Sequence, residues 1–395
     1  MGTLTGRPSR TALRAAWLFD GTGTLKADPV VVIEGPSVVS VYFGAPAPTD
    51  VELIELGEAT LVPGLVDTHV HLAFDASADP ATSLAGRSDE EALVSMRRAG
   101  RTALAGGVTT VRDLGDRGYL SLALRDDDEM PTVLSAGPPI TTAGGHCHFL
   151  GGAAAPGVDG VRAAVRQHVE RGVDVIKIMA TGGTMTPGSH QHLPQFSVEE
   201  LRAAVDEAHR SGLPITAHAH GTPGLRNAVA AGVDGLEHAT FWSEDGVDDP
   251  GDLIERILEQ RIVVGATVGL IPVPGVMPPR EILQRMPMVV ANTRRMQQAG
   301  VRVVGGSDAG IAPVKPHDAL RYAMPQLMQF GMSAAEALRT MTSIAAEVCG
   351  VGDTKGRLAV GYDADILALR GNPLAQPESI HRIQAVYGRG RRVAA

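Results

Sequence analysis

Two pairs of histidines are separated by a single residue, at His69-Val-His71 and at His218-Ala-His220. Side chains alternate across a β-strand with period two, so the two imidazoles of each pair would share one face. One such pair alone is weak evidence for a metal site. Imidazole is, however, a ligand that suits zinc and its first-row neighbours, so two pairs brought together by the fold would predict metal chemistry.

Three further polar residues lie in or at the end of apolar runs. Lys177 lies inside the run Val173–Ala180, and His238 and Asp308 each end another run. A lysine is almost never buried without a partner. Lys177 can therefore be a strand-end residue that reaches solvent, the partner of a carboxylate, or a nucleophile whose pKa is lowered by burial.

The elements that must position these residues are eight short apolar runs, most of them separated by segments of helical periodicity. The runs are Ala59–Val66, Val108–Asp113, Thr132–Ala136, Val173–Ala180, Pro214–His220, Val233–His238, Ile262–Val268 and Val301–Asp308. Strands that alternate with helices pair in parallel through right-handed crossovers, and the commonest closed form is a (β/α)8 TIM-like barrel. The sequence therefore predicts an α/β protein with such a barrel.

Two helices begin with capping boxes, at Ser197–Glu200 and Ser333–Glu336. After the second box, one apolar face at helical spacing predicts a single helix. That face consists of Leu338, Met341, Ala345 and Val348.

The two ends of the chain lack helical periodicity and carry short β-hairpin patterns instead. We expect both ends to pair into one small β-sandwich domain, which leaves no long exposed strand edge. The predicted domains are a discontinuous β-sandwich of residues 1–61 and 352–395, and a catalytic barrel of residues 62–351.

Length, charge and cysteine content exclude several classes of protein. The chain has 395 residues, a net charge of −9 and two cysteines. An acidic balance argues against nucleic-acid binding, and no unbroken apolar run is long enough to predict a membrane span. Two cysteines cannot form a disulfide framework, and no apolar signal run begins the chain, so we expect a cytoplasmic protein.

A barrel would bring the two histidine pairs, Lys177, His238 and Asp308 together at one end, because its active site lies at the carboxyl ends of the strands. Barrel packing has no need of imidazoles there. The arrangement His-x-His, Lys, His, His and Asp on those strands resembles the amidohydrolase superfamily, specifically its imidazolonepropionase-like and Xaa-Pro dipeptidase-like branch. The motifs similar to that branch are Leu61–His71, Ile176–Gly183, Ala217–Gly221, Gly235–His238 and Gly306–Gly310.

The resemblance implies a binuclear centre of two divalent ions, with zinc as the expected metal. The implied ligands are His69, His71, Lys177, His218, His238 and Asp308. In this arrangement His69 and His71 bind one ion, and His218 and His238 bind the other.

Lys177 and Asp308 receive special roles from the resemblance. Imidazolonepropionases lack the strand-four lysine, whereas the dipeptidase-like members carry it as a CO2-derived carbamate that bridges two metals. Asp308 would bind the first ion and shuttle the proton from the attacking hydroxide to the leaving amine.

Other candidate residues have roles that stay open. His220 stands where related dipeptidases often have Tyr, so it is either a donor to the developing oxyanion or an orienting partner of His218. His146 lies in a segment that resembles the Gly-His-Gly loop of the family, with Cys147 in place of a glycine, and is a candidate substrate contact. His148 is either a substrate contact or a structural residue.

Two more features bear on substrate binding. Arg112 and Arg117 follow the second run, and either could meet a substrate carboxylate, although Arg112 beside Asp113 more often forms an internal ion pair. The apolar, proline-rich stretch Gly269–Pro279 would serve as a lid that excludes water.

The predicted function is hydrolysis of an amide bond, of peptide or N-acyl amino acid type, by a hydroxide held between two metals. The expected partner is a small molecule or short peptide, and the resemblance is compatible with a homo-oligomer. One alternative is a tailoring amidohydrolase that acts on a modified peptide or heterocycle, and another is a cyclic-amide hydrolase of the imidazolonepropionase type. A non-catalytic binding module is the remaining alternative.

Overall fold

The computed structural model describes residues 10–276 and 278–393, which form two compact units. Within these residues, one unit contains residues up to 66, 103–109 and those from 333 onward, and the other contains 67–102 and 110–332. In the described part of the chain, no helix is both long and apolar enough to cross a bilayer.

The described residues contain eighteen strands and ten α-helices. The strands are β1 (Arg10–Arg14), β2 (Trp17–Phe19), β3 (Leu25–Ala27), β4 (Pro29–Glu34), β5 (Ser37–Phe43), β6 (Glu52–Glu55), β7 (Ala59–Pro63), β8 (Leu65–Val70), β9 (Val108–Asp113), β10 (Thr132–Ser135), β11 (Ile176–Met179), β12 (Ile215–Gly221), β13 (Gly235–Trp242), β14 (Val263–Thr267), β15 (Val303–Gly306), β16 (Ile366–Arg370), β17 (Ile383–Gly388) and β18 (Arg391–Arg392). The helices are α1 (Pro80–Ala85), α2 (Asp89–Ala105), α3 (Gly157–Arg171), α4 (Val198–Arg210), α5 (Thr222–Ala231), α6 (Leu253–Glu259), α7 (Arg280–Gln298), α8 (Ala323–Gln329), α9 (Ala334–Thr340) and α10 (Ser343–Val348).

The first unit is a β-sandwich to which both chain ends contribute. One sheet has the strand order β5-β4-β1-β6, and the other has the order β18-β17-β16-β7-β2-β3. The C-terminal strand β16 pairs antiparallel with β7, with Ile366 opposite Pro63 and Arg370 opposite Ala59. The prediction that the two ends share a sheet is therefore confirmed.

A single apolar core joins the two sheets of the sandwich. Leu13 and Ile33 from the first sheet pack with Leu61, Ile366 and Tyr387 from the second, and all five are buried. The inward faces of both sheets are thus removed from water together, as sheet-on-sheet packing requires.

The second unit contains most of a closed parallel barrel, whose strands in order are β8 to β15. Strand pairing runs from β8 through β9 to β10, and from β11 through β12, β13 and β14 to β15. Two isolated parallel bridges close the ring, Val70 with Ala309 and Ile140 with Ile178. The predicted (β/α)8 barrel is confirmed, although the crossover from β9 to β10 holds only the 3-10 helix Leu120–Leu124.

The first predicted strand, Ala59–Val66, is two strands in the structure. β7 belongs to the sandwich, β8 belongs to the barrel, and Gly64 separates them. A Cβ at Gly64 would lie 2.2 Å from Thr109 Oγ1, so only glycine allows this close approach to β9. The predicted domain boundaries at 61/62 and 351/352 stay predictions.

The single helix expected after the second capping box is interrupted. Both predicted capping boxes form, but α9 ends at Thr340 and α10 begins at Ser343. The Met341 carbonyl accepts a hydrogen bond of 2.8 Å from the Val66 amide instead of continuing a helix. A tertiary contact of the strand thus overrides the local periodicity.

Lys355 ties the C-terminal segment together in the sandwich unit. Its Nζ donates to Asp363 Oδ2 at 2.7 Å and to Asp365 Oδ2 at 2.8 Å, and the lysine is 5 % exposed. Burial opposes the charge, but the two carboxylates raise the pKa of Lys355 above its ordinary 10.5. The interaction therefore stabilises the fold below about pH 10, and its contribution disappears as pH rises through the elevated pKa.

We expect Lys355→Met to lower the free energy of unfolding by about 3–5 kcal/mol at pH 7, because it leaves carboxylates without their buried partner. The control Lys26→Met removes a more exposed pair with Asp20, at 3.1 Å, and should cost under about 1 kcal/mol. Urea denaturation measures both values. Equal costs for the two variants would show that the Lys355 network adds no stability.

Candidate metal centre

The first cluster of potential ligands joins the end of β8 to the end of β15. His69 lies in β8, His71 follows it, and Asp308 follows β15. Asp308 Oδ1 lies 3.2 Å from His71 Nε2 and 3.5 Å from His69 Nε2. One potential ligand atom from each of the three residues lies within 4.8 Å of the others, so they could hold one ion together.

The second cluster joins β12 to β13. His218 and His220 share one face of β12, as their spacing predicted, and His238 lies in β13. Their ligand atoms also lie within 4.8 Å of one another. The two clusters are neighbours, because the ring centroids of His69 and His238 are 5.3 Å apart. The chain thus forms two adjacent histidine-rich metal sites.

His238 reaches the second cluster only because the backbone of β13 is distorted. In the pairing of β12 with β13, Glu237 lies opposite His218, whereas His238 lies opposite Ala219. Regular alternation would therefore turn His238 away from the face that carries His218. A φ of +75° at His238 breaks this alternation. Left-handed backbone is uncommon for residues other than glycine, and it is often found at functional sites.

The imidazoles of the first cluster are oriented by acceptors on their second ring nitrogen. His69 Nδ1 lies 2.9 Å from Glu237 Oε2, and His71 Nδ1 lies 3.1 Å from the Gly115 carbonyl. A carbonyl or carboxylate oxygen accepts a hydrogen bond, so Nδ1 of each ring donates. In the neutral form of each ring this leaves Nε2, which faces Asp308, as the lone-pair nitrogen that a metal ligand requires.

The second cluster has the same type of support. His218 Nε2 donates to the Gly182 carbonyl at 3.1 Å, which leaves its Nδ1 free to bind an ion. His238 Nδ1 pairs with Thr267 Oγ1 at 3.1 Å. Burial lowers the pKa of both histidines well below the usual 6.5, so the rings are neutral and suited to metal binding.

Glu237 is the anionic support beneath the first cluster. Besides His69, it accepts hydrogen bonds from Arg112 Nη2 at 3.1 Å and from Thr216 Oγ1 at 2.8 Å. Burial alone would raise its pKa, but His69, Lys177 and Arg112 lower it to about 2. A Cβ at Gly265 would lie 2.2 Å from Glu237 Oε2, so the neighbouring strand leaves room for this carboxylate.

Lys177 presents a buried amine without a hydrogen-bond partner. It is 1 % exposed, and no acceptor among the described residues lies within hydrogen-bond distance of Nζ. Its charge acts on the imidazoles of both clusters, since it lowers the pKa of His69 and of His218. Burial lowers the pKa of Lys177 itself to about 8. An unsatisfied amine in this position is unfavourable unless another group completes the site.

His146 and Cys147 come close to the second cluster, whereas His148 lies farther toward solvent. The ring centroid of His146 is 4.7 Å from that of His218, and burial lowers its pKa to about 4. A Cβ at Gly183 would lie 2.3 Å from His146 Nε2, so glycine is required there. Cys147 Sγ lies 3.6 Å from His146 Nε2, and His148 is partly exposed with Nδ1 donating to the Gly145 carbonyl.

The two arginines considered as carboxylate partners already have partners of their own. Arg112 is 6 % exposed and pairs with Glu237 rather than with its neighbour Asp113. Arg117 pairs with Asp89 at 2.7 Å and donates to the Leu84 carbonyl. Arg112 therefore supports the first histidine cluster through Glu237, a role that was not predicted from the sequence.

Sequence reasoning also missed Glu237 and Lys315. Regular alternation would turn the side chains of Glu237 and His238 to opposite faces of β13. Only the distorted backbone explains how both reach the site. Lys315 Nζ donates to the Ser307 carbonyl at 2.6 Å, beside Asp308, and is buried. Lys315 could have been questioned on the same ground as Lys177, because a buried lysine needs a partner.

The comparisons with known proteins agree with this architecture. A profile for the amidohydrolase family matches residues 60–393. An ochratoxinase from Aspergillus niger is 28 % identical over 95 % of this chain and 84 % of its own. An imidazolonepropionase from Micrococcus luteus is 24 % identical over 94 % of this chain and 96 % of its own.

Solved structures show the same fold. A Xaa-Pro dipeptidase with methionine bound in its active site superposes with a TM-score of 0.84 at 26 % identity, covering 98 % of this chain and 100 % of its own. The ochratoxinase structure from A. niger gives a TM-score of 0.81 at 26 % identity, with 98 % and 96 % coverage.

We expect Glu237→Gln to weaken metal binding about 10- to 100-fold, the usual cost of losing a partner that orients a ligating imidazole. The amide can no longer balance the Arg112 charge or hold the Nδ1 proton of His69 as firmly. Competition with a chromogenic chelator measures the affinity. Glu207→Gln is the control, because Glu207 instead pairs with Arg166 and Arg210. An unchanged affinity in Glu237→Gln would contradict the assigned role.

Proposed function

The chain belongs to the amidohydrolase family, hydrolases that act on carbon–nitrogen bonds, and from this membership we propose that it cleaves the amide bond of a short peptide or N-acyl amino acid. The observation that carries the proposal is the adjacency of two histidine clusters to one buried, unpartnered lysine amine. That donor set fits two divalent ions bridged by an anion.

Each proposed ion has its own set of protein ligands. His69 Nε2, His71 Nε2 and an Asp308 carboxylate oxygen would hold the first, and His218 Nδ1 with His238 would hold the second. Nitrogen and carboxylate ligands of this type favour zinc. When bound, the two ions would supply Lewis-acid activation of the substrate carbonyl and a hydroxide nucleophile at neutral pH.

Lys177 would bridge the two sets of ligands as a carbamate. Its neutral amine attacks CO2, a nitrogen–carbon bond forms, and one proton is released to solvent. The product carries one negative charge shared by two oxygens, where the ammonium form would repel cations. Its burial and its lack of a hydrogen-bond partner support this modification.

Asp308 would take the proton from the nucleophile and deliver it to the leaving amine. Burial opposes its ionisation, but the neighbouring His69 imidazole and the hydrogen bond from His71 hold the pKa of this carboxyl well below 3.8. The deprotonated form is therefore ready to accept. Asp308 Oδ1 lies within 3.5 Å of the Nε2 atoms of His69 and His71, so its carboxylate would lie beside an ion that these residues hold.

His220 and His146 are proposed to act on the substrate. His220 Nδ1 pairs with Thr240 Oγ1 at 2.9 Å, which fixes its ring beside His238. When Nδ1 accepts from the Thr240 hydroxyl, the neutral ring carries its proton on Nε2 and would donate from that nitrogen to the oxygen on which charge develops. Its membership of the second cluster also makes it an alternative ligand of the second ion. His146, packed against His218, would contact the leaving group.

A cyclic amide is the second candidate substrate. The similarity to an imidazolonepropionase over most of the chain favours this alternative, and a modified peptide or heterocycle is chemically related to it. The same catalytic groups would open a ring instead of releasing an amine. A hydrolysis panel of metal-loaded protein against dipeptides, N-acyl amino acids and cyclic amides tests the proposal. Turnover of cyclic amides alone would replace the proposed substrate class with the second.

We expect Lys177→Ala to lose at least about a hundredfold in kcat/KM, because it removes the bridging group rather than an outer partner. Short carboxylic acids such as propionate should restore part of the activity by supplying a bridging carboxylate. Lys26→Ala, in the sandwich, is the matched control. Full activity of Lys177→Ala would refute the bridging role.

Removal of the metal should abolish turnover. We expect dialysis against a chelator to remove about two ions per chain, as counted by plasma mass spectrometry, and readdition of Zn2+ with bicarbonate to restore activity. Retention of full activity by metal-free protein would contradict the proposed mechanism.

A further inference from the structure

Trp242 lies at the edge of the second cluster and has no part in the metal chemistry described above. It ends β13 and is 7 % exposed. Its ring centroid lies 5.5 Å from that of His220, and the Arg285 guanidinium lies over the indole at 4.5 Å. The indole is thus placed between the candidate substrate-contacting histidine and helix α7.

The backbone immediately before Trp242 is distorted. Ala219 lies opposite His238 and Gly221 lies opposite Trp242, so the segment of β13 that leads to Trp242 is longer than its partner in β12. Ala239 has a φ of +46° and Phe241 a φ of +56°. A positive φ at a bulky residue such as phenylalanine is a genuine outlier, and such outliers cluster at binding and catalytic sites.

The indole also carries an unused hydrogen-bond donor. Among the described residues, no acceptor lies within hydrogen-bond distance of Trp242 Nε1, although this atom is buried. Buried indole N–H groups usually find a partner. A ligand with an acceptor oxygen would supply one.

Arg285 holds the indole in place from the side of α7. Arg285 is 8 % exposed, donates to the carbonyls of Ser243 and Glu244, and pairs with Glu281. The segment that follows Trp242 is therefore fixed to α7. The guanidinium also forms a favourable cation–π contact with the face of the indole that it covers. A rigid aromatic wall gains contact area with little loss of conformational entropy.

We propose that Trp242 is a specificity-determining residue, which selects substrates that carry an aromatic ring next to the scissile amide and an acceptor for its Nε1–H. The ring would pack against the indole beside His220, in offset or edge-to-face geometry. This inference rests on the proposed amide hydrolysis and narrows its substrate class. It assigns Trp242 no role in bond cleavage.

The kinetic test compares aromatic and aliphatic probes of otherwise matched chemistry. The pairs are N-benzoylglycine with N-acetylglycine, and N-acetylphenylalanine with N-acetylalanine. For one or both aromatic probes, we expect Trp242→Leu to lower kcat/KM about tenfold, mostly through KM, while the aliphatic partner changes less than about twofold. Trp242→Phe should lie between wild type and Trp242→Leu, because it keeps the ring and loses the N–H.

A second measurement does not depend on turnover. The chain has only two tryptophans, so Trp17→Phe, in the sandwich unit, leaves Trp242 as the sole indole fluorophore. Titration of this metal-loaded variant with benzoate should change the emission saturably. Acetate and cyclohexanecarboxylate, which offer the same carboxylate without an aromatic ring, should give at most a small fraction of that change.

The outcomes separate this inference from the proposed function. Equal losses for aromatic and aliphatic probes in Trp242→Leu, or identical fluorescence titrations with benzoate and acetate, would overturn the role of Trp242 while amide hydrolysis stands. If no probe is hydrolysed and the panel of dipeptides, N-acyl amino acids and cyclic amides is inert as well, the proposed function fails. The fluorescence comparison alone then decides whether Trp242 recognises an aromatic ring. If Trp242→Leu does not fold, Trp242→Phe and the titration decide.

Discussion

A buried lysine amine that has no hydrogen-bond partner among the described residues is the constraint on which the rest of the site depends. Lys177 lies inside the barrel beside the two histidine clusters. In four of their imidazoles, one ring nitrogen is hydrogen-bonded to Glu237, Gly115, Gly182 or Thr267. Removing such a group from water is unfavourable unless it is neutralised or satisfied. The carboxylate of Glu237 is shared among His69, Arg112 and Thr216, so it does not satisfy Lys177. The proposed conversion of the amine into a metal-bridging anion would remove this cost with groups already in position.

Distorted backbone brings these groups to the site. His238 and Asp308, one from each cluster, both have a positive φ, and Phe241 before Trp242 does as well. Each costs roughly 1–3 kcal/mol and persists only where surrounding structure holds it. The barrel supplies that support: Asp308 N donates to the His69 carbonyl at 2.7 Å, and Lys315 holds the Ser307 carbonyl. These three strained positions therefore lie at or beside the site.

The sequence predicted those features that follow from periodicity, and it missed those that depend on tertiary contacts. The spacing of His218 and His220 correctly placed both on one face, and the alternation of runs predicted the closed barrel. Gly64, which divides one apparent strand, and Met341, whose carbonyl is taken by Val66, could not be recognised locally. Glu237 was not predicted, because regular alternation would turn its side chain to the face opposite that of His238. The positive φ of His238 allows both side chains to reach the site, and no sequence pattern predicts this φ.

The most direct measurement is an anomalous-difference electron-density map from crystals of the protein grown with Zn2+ and bicarbonate. We expect two anomalous peaks, one among His69, His71 and Asp308 and one among His218, His238 and their neighbours. We also expect density for a carboxyl group on Lys177 Nζ that contacts both. One peak only, together with an unmodified amine at Lys177, would contradict the central claim.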